Sequence, residues 1–351
     1  MTEDIQRNTA KSEMKAVRFY GVEDVRFEMV PCPKPKDNEV LIQVLYAGIC
    51  GSDLHIYKKG MFVQNIPETM GHEFVGRVVS AGEKCSRELI GKIVSANPMV
   101  PCMKCPSCME GNYNTCHELG FIGEVRQGCF AEYIAMPCDA VFEIPCGAYS
   151  SFDEIKKYVL TEPLAVALNV CNRSACTQDD KVAIIGAGPI GLLTCAVLKK
   201  ERKVKSITMV DLSTTRLEYA RKVGSDFCFT NSDDLMYDYD LIIDCAGVEA
   251  SIAAGVSHVK ANGRVCIVSI FENPAGIDCN EIVSRQLSII GANVYHYKDL
   301  TDAAALICRS GDYFDILITN EFKPEDCRDA FMLLSSRDKT VEKVVFNTYY
   351  Q

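Results

Sequence analysis

The glycine-rich stretch Gly186-Ala187-Gly188-Pro189-Ile190-Gly191 constrains the fold more than any other part of this chain. An apolar run at 182–185 precedes it directly, and residues 192–200 have the composition of a helix. The order strand, glycine turn and helix predicts a dinucleotide-binding Rossmann unit, because the glycines allow a tight turn and let a pyrophosphate approach the helix N-terminus. The predicted cofactor contacts are Gly186, Gly188, Ile190 and Gly191.

The acidic residue that completes this fingerprint follows about twenty residues after the glycines. Asp211 directly follows the predicted strand 206–210, where its carboxylate would accept hydrogen bonds from the adenosine ribose. A 2′-phosphate would meet that carboxylate, which favours NAD over NADP. Arg216 is the opposing feature, since an arginine near this position can hold a 2′-phosphate. We predict NAD, with Asp211 and Arg216 both in its site.

A second segment, residues 48–76, carries side chains typical of a catalytic metal site. It contains the sequence motifs Cys50-Gly51-Ser52-Asp53 and Gly71-His72-Glu73-Phe74. Three protein ligands with one open position are the pattern of a catalytic zinc. A single cysteine or histidine is more simply explained as a buried core residue, but two such motifs in one segment favour a metal site. The candidate ligands are Cys50, His72 and Glu73.

Four cysteines within fifteen residues predict a second metal site. Cysteines spaced by two residues let backbone turns direct their sulfur atoms at one tetrahedral centre, and four thiolates leave no open position. This pattern indicates a structural zinc, for which the alternative is two incidental thiol pairs. The prolines and glycine at positions 101, 106 and 111 predict a loop rather than a helix. The candidate ligands are Cys102, Cys105, Cys108 and Cys116.

These motifs resemble those of the zinc-dependent medium-chain dehydrogenase/reductase family, which contains the alcohol dehydrogenases. The resemblance runs from Met14 to about Asn347 and is strongest to the polyol branch of sorbitol, galactitol-phosphate and threonine dehydrogenases. It implies an α/β chain with a GroES-like, mostly β catalytic domain and a Rossmann domain with a doubly wound parallel sheet. The implied boundaries are 14–160 for the first, 161–295 for the second, and 296–351 for a return to the first.

The resemblance also implies the chemistry, a zinc- and NAD-dependent oxidation of a secondary alcohol to a ketone and its reverse. Ser52 and His55 match the proton relay of the family, although His55 could equally be a surface histidine. Glu162 matches a glutamate that faces the zinc, as a ligand or as the holder of its water. From its position alone, Glu162 could instead be a solvated acid at a helix N-terminus. Asp53 is expected to accept a hydrogen bond from His72.

The formal charges at the catalytic site bear on the role of Glu162. With Cys50 and Glu73 ionised and His72 neutral, the site around Zn²⁺ is expected to be neutral. A fourth, anionic ligand would weaken the Lewis acidity of the metal. The formal charges therefore favour Glu162 as the holder of the water rather than as a permanent ligand.

Two rival functions and the substrate stay open at this point. A zinc-free enone or quinone reductase would not need the two metal-binding motifs. A dinucleotide-binding regulator would not need Ser52 and His55. Sorbitol dehydrogenases carry an Arg-Tyr pair where this chain has Val294-Tyr295, and a tyrosine where it has Ile56. A polyol, a polyol phosphate, an amino alcohol such as threonine or a short diol therefore all stay possible substrates.

The composition of the chain excludes some classes of binding partner and favours one cellular compartment. The net charge of −10 argues against a nucleic-acid partner, since phosphate binding needs a basic surface. The sequence contains no run of about 18 apolar residues, so no membrane-spanning helix is predicted. Residues 1–13 are polar and do not resemble a secretory signal. The 19 cysteines are odd in number, which favours a reducing cytoplasm over a disulfide framework. The family resemblance implies a homotetramer or homodimer that acts on a small-molecule alcohol.

Overall fold

The computed structural model describes residues 11–145, 151–336 and 341–349. The chain divides into two compact units, one made of residues 1–162 and 300–351 and the other of residues 163–299. The first unit is therefore built from two separate parts of the sequence. No helix within the described ranges is long and apolar enough to cross a membrane.

The first part of the first unit is mostly β structure. Buried and exposed side chains alternate along its opening strand, as expected for a sheet with one face on the core, whereas the third strand is buried along nearly its whole length. A short helix lies among the cysteines at 102–116, where the sequence predicted only a loop. The elements are β1 Glu13–Gly21, β2 Asp24–Pro31, β3 Glu39–Gly48, α1 Gly51–Lys59, β4 Glu68–Thr69, β5 Glu73–Ala81, β6 Ile93–Ala96, β7 Met99–Val100, α2 Pro106–Met109, β8 Gly120–Phe121, β9 Tyr133–Pro137, β10 Val141–Glu143 and α3 Phe152–Lys156.

The second unit is a parallel sheet with intervening helices. Its strands are short apolar runs, typical of strands that are covered on both faces. The elements from the unit boundary onward are α4 Thr161–Arg173, β11 Lys181–Ile185, α5 Pro189–Lys200, β12 Ser206–Val210, α6 Thr214–Lys222, β13 Phe227–Phe229, β14 Tyr239–Asp244, α7 Glu249–His258, β15 Val259–Ile267, α8 Cys279–Ser284 and β16 Ser288–Gly291. The next helix, α9 Tyr297–Arg309, lies mostly in the first unit.

The strand order of this parallel sheet is β13-β12-β11-β14-β15-β16. The order reverses between β11 and β14, which is the topological switch point at which doubly wound sheets bind their ligands. The short connection between β13 and β14 contains a 3₁₀ turn at Ser232–Asp234.

The last part of the chain completes the sheet of the first unit with β17 Ile318–Phe322, α10 Cys327–Ser335 and β18 Lys343–Asn347. The seven-stranded sheet has the order β10-β6-β5-β3-β18-β17, with β9 also paired to β3. Residues near the two ends of the sequence are thus neighbours, since Val345 of β18 lies opposite Gly48 of β3. Fully buried rings fill the core beneath, with Phe130 packed edge-to-face on Phe346 at 5.1 Å.

Candidate functional site

Cys50 is positioned between the end of β3 and the start of α1. Its backbone amide donates a hydrogen bond to Asp53 Oδ2 at 2.8 Å, which ties the first turn of the helix to Cys50. Asp53 is fully buried, and burial raises the pKa of its carboxyl group to about 6 despite the opposing effect of His72. The Cys50 thiol therefore lies at the N-terminus of α1.

His72 and Glu73 are positioned by a glycine turn that leads into β5. Gly71 has a φ of +92°, in the left-handed region that favours glycine, and a Cβ atom at this position would clash with the Phe130 ring. The ring of Phe121 packs edge-on against the imidazole of His72, with centroids 5.6 Å apart. The turn and the two aromatic rings together hold His72 and Glu73 in a buried position.

Three of the sequence-predicted ligands come together in space. One ligand atom from each of Cys50, His72 and Glu73 lies within 4.8 Å of the other two. Burial alone would lower the pKa of His72, but the neighbouring Cys50, Asp53 and Glu162 outweigh it and raise the pKa well above its ordinary value. A thiol, an imidazole and a carboxylate in a pocket that attracts positive charge fit a zinc ion.

The hydrogen bond expected from His72 to Asp53 is not formed in this structure. His72 Nδ1 and Asp53 Oδ1 are both buried, and neither has a hydrogen-bond partner among the described residues. Buried polar atoms are nearly always paired, so this part of the site has spare donor and acceptor capacity. Unpaired atoms of this kind are expected next to a histidine ligand, because metal binding fixes its tautomer and thereby the hydrogen bond of its other ring nitrogen.

Lys343 is the residue at this site that the sequence analysis missed. Its Nζ atom donates to Glu73 Oε1 at 2.9 Å, to Glu73 Oε2 at 2.7 Å and to the Ile49 carbonyl at 3.2 Å. Burial alone would lower the pKa of Lys343, but the Glu73 carboxylate raises it, so the side chain carries a positive charge. The expectation of a formally neutral site is therefore wrong, because it omitted this cation.

Ser52 and His55 lie close to Cys50 along the chain, whereas Glu162 is on a separate helix. Ser52 and His55 are on α1, three residues apart and thus on one face of the helix. Glu162 is in the first turn of α4 and is 7% exposed. It does not belong to the set of ligand atoms that lie within 4.8 Å of one another. Its charge nevertheless acts on both His72 and Lys343.

The four predicted thiol ligands form the second cluster. One sulfur atom from each of Cys102, Cys105, Cys108 and Cys116 lies within 4.8 Å of the other three. Backbone amides supply part of the charge balance, since the Cys102 amide donates to Cys116 Sγ at 3.3 Å. Hydrogen bonds from the backbone amides of Cys108 and His117 likewise lower the pKa of the Cys105 thiol to about 6. Four converging sulfurs with amide donors fit a closed, tetrahedral zinc site.

The glycine turn of the second unit has the geometry that a pyrophosphate needs. Gly186 has a φ of +103°, and a Cβ atom on Gly191 would clash with the Gly186 carbonyl. Gly188 precedes α5, and the nearest group to a Cβ atom there would be Arg216 Nη1 at 3.7 Å. The backbone before the helix is thus open for a close approach by phosphate, while Ile190 lies in the first turn of the helix.

Asp211 follows β12 and braces the same turn. Its Oδ2 atom accepts a hydrogen bond from the Ala187 amide at 2.8 Å, and its Oδ1 atom accepts one from the Ser213 amide at 2.8 Å. Each carboxylate oxygen has a further lone pair, so these bonds leave capacity for two ribose hydroxyl groups. Asp211 therefore both shapes the glycine turn and offers acceptors beside it.

Two sequence families match the chain. The alcohol dehydrogenase GroES-like domain covers residues 36–146, and the glucose dehydrogenase C-terminus covers residues 156–346. Among curated relatives, a probable D-xylulose reductase A of Emericella nidulans is 30% identical over 89% of this chain and 90% of its own length. A sorbitol dehydrogenase of Halalkalibacterium halodurans is 28% identical over 87% of this chain and 91% of its own length.

Solved structures give the same assignment over nearly the whole chain. An alcohol dehydrogenase from Escherichia coli CFT073, complexed with NADH, has a TM-score of 0.88 at 28% identity, covering 96% of this chain and 100% of its own. A zinc-binding dehydrogenase from Sinorhizobium meliloti 1021, bound to NADP, gives the same values. The 2R,3R-butanediol dehydrogenase of Bacillus subtilis has a TM-score of 0.86 at 29% identity, with coverage of 96% and 100%.

Proposed function

This chain belongs to the zinc-dependent alcohol dehydrogenases of the medium-chain family, in their polyol branch, and we propose that it oxidises a secondary hydroxyl group of a polyol or related compound. The product is a ketone, and the reaction runs in both directions. The observation that carries this proposal is the convergence of Cys50, His72 and Glu73 within 4.8 Å.

The residues of the chain divide the chemistry between them. Cys50, His72 and Glu73 would hold a zinc ion, which when bound supplies the Lewis acidity that favours loss of the substrate's hydroxyl proton. Ser52 and His55, on one face of α1, carry that proton towards solvent. A positioned general base of this kind contributes about 10²–10⁴ in rate. Glu162 would accept a hydrogen bond from a water molecule or from the substrate hydroxyl group beside these three residues.

The second zinc of the proposal is structural. Cys102, Cys105, Cys108 and Cys116 would hold it, and the cluster offers no open position to a substrate. The protein therefore binds two zinc ions per chain, one for chemistry and one that stabilises the segment of residues 102–116. This count is supported by two separate ligand sets in the described part of the chain.

The proposed cofactor is NAD, bound at the glycine turn of Gly186, Gly188 and Gly191 with Ile190 beside it. Asp211 supports this choice, because a carboxylate that accepts ribose hydroxyl groups repels a 2′-phosphate. Arg216 lies close enough to Gly188 to contact a phosphate of either cofactor. Relatives of this fold have been solved with NADH and with NADP, so the carboxylate is the deciding feature.

A substrate panel tests the proposed function. The zinc-loaded protein is mixed with NAD or NADP and with polyols, polyol phosphates, amino alcohols and short diols, and reduced cofactor is followed at 340 nm. We expect turnover of at least one secondary alcohol, with a higher kcat/KM for NAD than for NADP. Higher activity with NADP would contradict the argument from Asp211, and no turnover with any member would contradict the proposed function.

Assembly and compartment complete the proposal. The edge strand β16 pairs only with β15 in the described part of the sheet, and most of its side chains are exposed. An open edge with Ile289 on it suits pairing with a second copy of the chain across a two-fold axis, as a homodimer or homotetramer. The cysteines in the described ranges are all free, which supports a reducing compartment such as the cytoplasm.

A further inference from the structure

The ion pair between Lys343 and Glu73 is buried on both sides. The side chain of Lys343 is 3% exposed and that of Glu73 is 0% exposed. Lys343 begins β18 and Glu73 begins β5, and both strands pair with β3 between them. Because Gly48 lies on β3 directly opposite Glu73, and a Cβ atom at Gly48 would clash with Glu73 Oε2, only glycine leaves the carboxylate its path to Lys343.

The three donors of the Lys343 ammonium group are all used within the protein. Two are directed at the Glu73 carboxylate oxygens and the third at the Ile49 carbonyl. Lys343 therefore has no donor left for a substrate, and it acts on the site through Glu73. A zinc ion that binds Glu73 must share this carboxylate with a cation that is already in place.

We propose that Lys343 is a positioning residue that replaces the charge of the metal while the Cys50–His72–Glu73 site is empty, and thereby weakens zinc binding. This inference rests on the proposed function, since it takes the three residues as a zinc site. A buried carboxylate without a partner is strongly destabilising, so Lys343 keeps the zinc-free protein folded. The same positive charge repels Zn²⁺ across a short, poorly screened distance, so the site releases its metal more readily.

Zinc affinity and thermal unfolding of Lys343→Met test this inference. Zinc-free and zinc-loaded protein are compared by melting, and the dissociation constant is measured by competition with a chromophoric chelator. We expect zinc-free Lys343→Met to melt several degrees below the wild type. Zinc should raise its Tm by more than it raises that of the wild type, and should bind it at least about tenfold more tightly. Lys343→Arg, which keeps the charge, should bind zinc within about threefold of the wild type.

Two controls make the result specific. Lys157 is also a buried lysine, bonded to the Gly311 carbonyl at 3.0 Å, so Lys157→Met should lower Tm without changing zinc affinity. Cys50→Ser identifies which of the two zinc ions exchanges. Equal or weaker zinc binding by Lys343→Met would overturn the inference, as would a Lys343→Met protein that stays unfolded even with zinc. Wild-type protein without an exchangeable zinc at Cys50 would instead overturn the proposed function.

Discussion

At the scale of single residues, the buried charges around Cys50 and His72 determine what each carboxylate can do. Adding Lys343 to Zn²⁺, Cys50 and Glu73 gives the proposed site a formal charge of +1, and coordination by Glu162 would return it to zero. Charge balance therefore does not exclude Glu162 as a ligand. The geometry separates the roles instead, since Glu162 lies outside the set of three converging ligand atoms.

The first prediction concerns Glu162→Gln. We expect the variant to keep most of its zinc, because three ligands remain in place, while kcat falls by about 10²-fold or more through loss of the carboxylate charge beside them. Metal content by emission spectrometry and steady-state kinetics measure the two effects. If Glu162→Gln lost the exchangeable zinc as completely as Cys50→Ser does, Glu162 would be an obligatory ligand.

The second prediction concerns Cys327, which is buried at the start of α10. Burial raises the pKa of its thiol to about 11. The unfolded chain releases this proton near its ordinary pKa of about 8.5, while the folded protein retains it, so stability falls as the pH rises between these two values. Relative to Cys327→Ala, the wild type should lose about 2 kcal/mol more between pH 8 and pH 10.5.

Urea unfolding at the two pH values measures this difference. Cys279→Ala is the matched control, because Cys279 is exposed and its removal should leave the slope of the wild type unchanged. Equal slopes for the wild type and Cys327→Ala would show that the buried thiol is not linked to alkaline unfolding.

At the scale of elements, the glycine turn before β5 positions two of the three proposed zinc ligands. Gly71→Ala should displace His72, because the new methyl group meets Phe130 and the left-handed backbone is strained as well. We expect loss of the zinc at Cys50 while the zinc of the thiol cluster is retained. Zinc content per chain and Tm give the two readouts.

Gly91→Ala controls for strain alone. Gly91 has a φ of +87°, but a Cβ atom there would meet no other atom within 4 Å. This variant should lose about 1–2 kcal/mol from the backbone strain and keep both zinc ions. Full zinc occupancy in Gly71→Ala would mean that the turn is not needed to place His72.

The elements differ in how far the sequence could predict them. The strand, glycine turn and helix around Gly186 form one local pattern, so their order could be predicted from neighbouring residues alone. Lys343 could not be predicted, because 270 residues separate it from Glu73 and only the pairing of β18 and β5 with β3 brings them together. The missing bond between His72 and Asp53 depends on side-chain placement, which spacing along the chain does not determine.

At the scale of the whole molecule, the family and its two domain folds, GroES-like and Rossmann, could be predicted from short sequence motifs. The similarity to known proteins confirms both. The substrate could not be predicted, because Val294 and Ile56 replace the residues that mark sorbitol dehydrogenases. Tyr295 is nevertheless fully buried, and Asn169 donates hydrogen bonds to the carbonyls of Asn293 and Val294. This segment is therefore fixed in place by its backbone.

The prediction at this scale is the assembly through β16. The wild type should have the mass of a dimer or tetramer by light scattering at micromolar concentration, and Ile289→Lys should reduce it by placing a charge on the pairing edge. Phe227→Lys, on the exposed strand β13 at the opposite edge, should keep the wild-type mass. A monomeric wild type, or an Ile289→Lys variant of unchanged mass, would contradict pairing through β16.

The central claim is that the cluster of Cys50, His72 and Glu73 performs the chemistry while the four-cysteine cluster stabilises the fold. Zinc content and NAD-dependent turnover, measured together in Cys50→Ser and Cys105→Ser, test it most directly. We predict that Cys50→Ser stays folded with about one zinc per chain and loses its activity. Cys105→Ser should lose folded protein, since structural zinc binding contributes directly to folding. Undiminished NADH formation by a Cys50→Ser protein that lacks the exchangeable zinc would contradict the claim.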